Sequence, residues 1–189
     1  EELRRHNEGI ADAQERVGFY GLDLYNLRSS ITAVLNYLDR VDPETARLAR
    51  ERYGCLSPWQ REPTAYGEAA LGAGFKACEQ AVVGMLQDLL KNRLSYLKRD
   101  GADWLDVQQN ARLIAAAEEY YRTLYYGSAN SWNLRDRHMF ETLRAVMEAR
   151  GPGTKAVVWA HNSHAGNSAA TEMGRHGQVS LGMLCREAF

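Results

Sequence analysis

Two long stretches whose apolar residues recur at alternating intervals of four and three constrain this chain more than any other feature. Leu71, Phe75, Cys78, Val82, Met85 and Leu89 keep that beat, and Trp104, Val107, Ala111, Ile114, Tyr121 and Tyr125 nearly keep it. A period close to 3.6 puts each set on one helix face, and two such faces are buried by packing side by side. Between them "KRDGAD" (98–103) reads as the turn, Gly101 closing one helix and Asp103 capping the next. Residues 64–127 are therefore expected to form an antiparallel helical hairpin. It would be inserted in a single domain covering 1–189 and incomplete at both ends.

The flanking segments predict a sheet. "RVGFYGLDLY" (16–25) has the make-up of a short buried strand, and "TKAVVWA" (154–160) is almost continuously apolar, as in a parallel sheet covered on both faces. Helices separate them. Leu27, Ile31, Val34, Leu35 and Leu38 share one face; Asp42 and Pro43 open a short helix that fails at Gly54 and Pro58. A further helix is expected from about Asn133 to Arg150, ended by "GPG", and a last one in "VSLGMLCREAF" (179–189). The expected class is α/β: a parallel-type sheet core with helices and the inserted hairpin.

The composition suits an ordinary globular chain of 189 residues, 45% hydrophobic and 25% charged with net charge −1. That balance argues against a nucleic-acid or anionic-membrane partner. No apolar run approaches the roughly 18 residues that cross a bilayer. The opening "EELRRHNEGI" has no apolar leader core and no Met, and reads as the middle of a helix, so an internal piece of a longer cytoplasmic protein is expected. Cys55, Cys78 and Cys185 lack CxxC spacing and are expected to be free, buried thiols.

Function concentrates at the carboxyl ends of the expected strands, where loops are free to carry ligands. One end bears His161 and His164, two of only 5 histidines; the other bears Asp23 and Tyr25. Paired imidazoles titrate near neutrality and suit acid–base work, whereas HxxH among scattered carboxylates is weak evidence for zinc. Asp136 lies on the core-facing side of its helix with Met139, Leu143 and Val146, so it needs a partner, which Arg135, Arg137 or His138 could supply. An arginine there could also face a developing oxyanion. No nucleophile elbow, Walker loop or dinucleotide glycine pattern occurs.

"VVWAHNSHAGNSAATEMGRHGQVSLG", "FYGLDLYNLRSSITAVLNYLDRVDPETARLARERYGCL" and "SWNLRDRHMFETL" together resemble the erythromycin esterase family over nearly the whole chain. The resemblance implies a helical excursion from an α/β core, a cleft between them, and water attack on a macrolactone ester without metal, cofactor or covalent acyl-enzyme. It assigns catalytic roles to His161 and His164, and substrate-facing positions to Tyr20, Asp23, Arg135 and Asp136. The family's water-activating histidine sits in a G-E-x-x-H-G motif that these 189 residues do not contain. The implied partner is a small-molecule ester; a carbohydrate or lipid ester, or a non-catalytic helical interaction module, are the alternatives. Oligomeric state is left open.

Overall fold

The computed structural model describes residues 1–12 and 15–189, and all regular structure among the described residues is helical. After α1 (Glu2–Glu8), an irregular stretch leads into α2 (Leu27–Val41). Leu27, Ile31, Val34 and Leu38 of α2 are buried, as their spacing requires. The Asp42 carboxylate then accepts the Thr45 N–H at 3.1 Å and, with Pro43 in the first turn, starts α3 (Pro43–Tyr53). A 3-10 turn, Gly54–Trp59, and α4 (Thr64–Ala70) follow.

Two helices of this region pack on each other, but the turn between them lies elsewhere than expected. α5 (Glu79–Lys91) ends at Asn92, whose side chain donates to the Asp88 carbonyl at 3.0 Å, and α6 (Arg93–Thr123) runs unbroken through Gly101. Glycine in a helix costs only about 1 kcal/mol, which the packing of a 31-residue helix outweighs. Asp103 is no cap; it pairs with Arg40 of α2 at 2.7 Å. α6 packs against α2, α4 and α5, and its Trp104, Val107, Ala111, Ile114 and Tyr121 enter one core with Val82, Met85 and Leu89 of α5. Leu71 and Tyr125, assigned to the same faces from their spacing, are instead exposed.

α7 (Ser128–Arg150) starts five residues before the expected point and stops at Gly151, whose φ of 92° ends the helical path. Short helices α8 (Asn162–Ala165), α9 (Glu172–Arg175) and α10 (Leu181–Ala188) complete the chain. Met139, Phe140 and Leu143 of α7 form a second, smaller core with Leu181, joined by Leu22 and Val158.

The expected α/β class is therefore wrong: among the described residues there is no strand and no sheet. Residues 17–22 and 154–160 have no neighbouring strand to take their backbone N–H and C=O groups, without which an extended segment is no sheet. Nor is 154–160 covered on both sides. Val158 packs inward, while Val157 and Trp159 are 98% and 99% exposed, so the apolar run is buried on one side only. The expectation for the cysteines also changes. Cys55 and Cys78 are joined as a disulfide with Cα atoms 5.9 Å apart, and Cys185 is the free one. Among the described residues no helix is long and apolar enough to cross a membrane.

Candidate active site

The first half of α7 grips the segment that carries the histidines. Trp132, Asn133 and Asp136 lie within about one turn of each other, and each bonds residues more than forty positions away. Trp132 Nε1 donates to the Val179 carbonyl at 2.7 Å. Asn133 donates to the Gly177 carbonyl and accepts the Val179 N–H, both at 2.8 Å. Asp136 Oδ1 accepts the Leu181 N–H at 2.8 Å, at the start of α10. Ser180 caps that helix through Met183 N–H and also donates to the Gly166 carbonyl at 2.7 Å, drawing the α8 end of the loop onto it.

His164 sits inside this grip. Its Nδ1 lies 3.0 and 2.9 Å from the two oxygens of Asp136, and the Trp132 ring stacks on the imidazole at 4.6 Å with planes 5° apart. Asp136 is fully buried and His164 nearly so. A carboxylate only accepts, so the pair holds His164 with its proton on Nδ1 and its lone pair on Nε2. Nε2 has no protein partner among the described residues. Burial raises the Asp136 carboxyl above its ordinary value; the bonds from His164 and Leu181, and the charges of His164 and Arg135, act in the opposite direction.

One residue earlier, Arg135 points to a different carboxylate. Its Nε and Nη2 donate to Asp23 at 3.0 and 2.7 Å, a two-pronged pair, and its guanidinium lies 4.4 Å over the Tyr25 ring. Tyr25 in turn meets the Tyr120 hydroxyl of α6 at 3.1 Å. Asp23 is placed by its neighbours, Leu24 entering the larger core and Leu22 the smaller. Burial raises its carboxyl, but the Arg135 and Leu24 bonds and the charges of Arg135 and His164 outweigh that and leave it below the ordinary value.

Of the residues singled out in the sequence, the structure thus joins Asp23 to Arg135 and Asp136 to His164. Asp136's partner is none of its helical neighbours. Tyr20 meets Arg150 at 3.3 Å and, with Asp23, lines a cavity of about 280 Å³ reached by α2, α6 and α7. His161 is exposed and keeps its hydrogen bonds within its own turn, where Nδ1 meets Ser163 Oγ at 2.9 Å and accepts the Ser163 N–H. Glu172 and His176 are exposed. Among the described residues no three His, Cys, Asp or Glu side chains gather to hold a metal ion.

Two residues were missed. Trp132 precedes Asp136 by four, a spacing that puts both on one helix face and could have flagged it. The sequence offers His138 only as a partner for Asp136. It lines both the 280 Å³ cavity and a second of about 690 Å³ between α6 and α7, and burial pushes its imidazole down to about 4.

The fold has a counterpart among solved structures. A crystal structure titled a succinoglycan biosynthesis protein superposes with a TM-score of 0.72 at 17% identity, over 99% of this chain and 43% of that one. The chain thus spans less than half the length of that protein, and the likeness extends to the fold. The sequence comparison is more specific: residues 1–189, the whole chain, match the erythromycin esterase family, and the chain belongs to it.

Proposed function

We propose that the chain contributes to the active site of an ester hydrolase, with His164 as its proton carrier. The observation that carries this reading is the buried Asp136–His164 pair, which fixes one tautomer and stabilises positive charge on the ring. In ester hydrolysis, water oxygen bonds to the carbonyl carbon, the bond from that carbon to the alcohol oxygen breaks, and the departing oxygen takes up a proton. The family's G-E-x-x-H-G histidine would take the proton of the attacking water, and His164 Nε2 would carry it on to the departing oxygen. Arg135 is held by Asp23 through Nε and Nη2, so its Nη1 is left to face the carbonyl oxygen as charge grows. His161, on the exposed side of the same loop, would orient the water or the substrate. No metal ion is called on in these steps.

Because these 189 residues lack the family's water-activating histidine, the test is to incubate a full-length protein that joins them to the G-E-x-x-H-G segment with erythromycin, a simple aryl ester and an acylated sugar, and to follow addition of one water by mass spectrometry. The sugar belongs in the panel because the similar solved structure is titled a succinoglycan biosynthesis protein. Asp136→Asn keeps the size of the side chain but removes its charge, and His164→Gln removes the proton carrier. Each should lower turnover roughly a hundredfold or more with circular dichroism unchanged. Undiminished turnover in both folded variants would sink the proposal.

A further inference from the structure

The cavity of about 280 Å³ beside Asp23 is incomplete in a specific way. Ser30 of α2, 1% exposed, and Gln109 of α6 both line it, and Ser30 Oγ and Gln109 Nε2 are buried with no hydrogen-bond partner among the described residues. A buried orphan donor is costly, and the cost is recovered when a bound group supplies the missing acceptor. The remaining walls are mixed: Leu105, Leu113 and Val146 are apolar, and Asp106 is exposed to solvent, which screens its charge. Asn26 and Asn110 add planar amides, while Phe19 and Tyr20 add ring faces; Phe19 is 91% exposed, with no packing role to account for it. His138, neutral at physiological pH because burial disfavours its charge, contributes a ring with no hydrogen bond to protein among the described residues. The charge of Asp23 is already taken by Arg135.

Amides and a hydroxyl that both donate and accept, set beside aromatic faces, match a ring bearing many hydroxyl groups and no charge. The volume falls just under the roughly 300–1,000 Å³ of drug-sized ligand pockets, enough for one ring and too little for a macrocycle. We propose that this cavity is a binding site for a single uncharged sugar ring, its hydroxyls bonding Gln109 and Ser30 and its apolar face lying on Tyr20 or Phe19. The cavity adjoins the proposed hydrolase site through Asp23, which bonds Arg135, but the sugar reading rests on Ser30 and Gln109 and not on His164.

The experiment is a titration of the protein with methyl α-glucoside, glucosamine and glucuronate, followed through the Gln109 side-chain amide and the His138 ring by NMR. Methyl α-glucoside should give saturable shifts at both. Gln109→Leu should weaken its binding about threefold to tenfold, the effect of one hydrogen bond. Tyr20→Ala, an exposed wall change that leaves the fold intact, should weaken it as well. His164→Gln should bind normally, which separates failure of this site from failure of the hydrolase reading. No saturable shift with any probe, tighter binding of a charged probe than of the neutral one, or normal binding by both cavity variants would overturn the proposal.

Discussion

His138 is the residue whose environment makes the plainest measurable demand. Burial drives its imidazole from 6.5 to about 4; the Asp23 charge partly opposes this and Arg112 adds to it. The unfolded chain binds the proton near pH 6.5, whereas the folded chain refuses it until about 4. The stability from keeping His138 neutral is therefore complete above 6.5, falls as the pH drops from 6.5 to 4, and then levels off. The loss is on the order of 2 kcal/mol, less than the full shift would give, because the ring is partly exposed. Asp136, whose carboxyl is raised, works in the opposite sense at acid pH, so the comparison must be with His138→Gln. Urea midpoints at pH 7.5 and 4.5 should differ more in the parent than in that variant; equal differences would show that His138 titrates normally. The sequence showed the need at such positions better than the supply. Asp136 on a core-facing stripe announced a buried carboxylate, but its partner stands 28 residues away, and only the fold of residues 161–181 back onto α7 brings it there.

At the scale of elements, chain ends and turns were legible where a side chain or backbone angle sets them locally. Asp42 with Pro43 and the glycine after Arg150 act within a few residues, so their effect is written in the sequence. Gly101 was misread because helix packing against α2 and α5 overrides a propensity of about 1 kcal/mol. The apolar runs at 17–22 and 154–160 were misread because apolar composition signals burial without saying on how many sides. One close approach between elements is testable. Gly182 of α10 lies so near α8 that a Cβ there would overlap the Ala165 carbonyl oxygen and come 2.6 Å from that of Gly166. Both obstacles are backbone, so neither can swing aside. Gly182→Ala should destabilise the protein by about 1–3 kcal/mol and pull the Leu181 N–H from Asp136. Gly54→Ala, where nothing lies within 4 Å of the added carbon, should be close to neutral. Chemical denaturation of both variants makes the comparison, and an equal loss in each would refute the crowding at Gly182.

The whole molecule has two cores of unequal size, and the candidate histidine belongs with the smaller. The larger gathers α2 through α6 and is stapled by Cys55–Cys78, whose 23-residue separation lies wholly within the bundle. Tyr66 strengthens the same corner, accepting the Cys78 N–H at 2.8 Å and donating to buried Glu118 at 2.6 Å. The smaller core rests on α7 and α10 and holds the loop with His164 through a few side-chain bonds. Closing a loop of this length stabilises a fold by about 3 kcal/mol, and that gain accrues to the part the loop encloses. Reduction should therefore speed hydrogen exchange at amides of α5 by lowering the bundle's stability. The Leu181 amide, bonded to Asp136, should exchange at its former rate if the smaller core opens by itself at lower cost. Exchange with and without reductant, read at Val82 and at Leu181, decides between the two arrangements. A selective change at Val82 means that the His164 loop can rearrange around a ligand while the bundle stays closed. An equal change at both means that the two cores unfold as one, and that any motion of the His164 loop carries the cost of opening the whole chain.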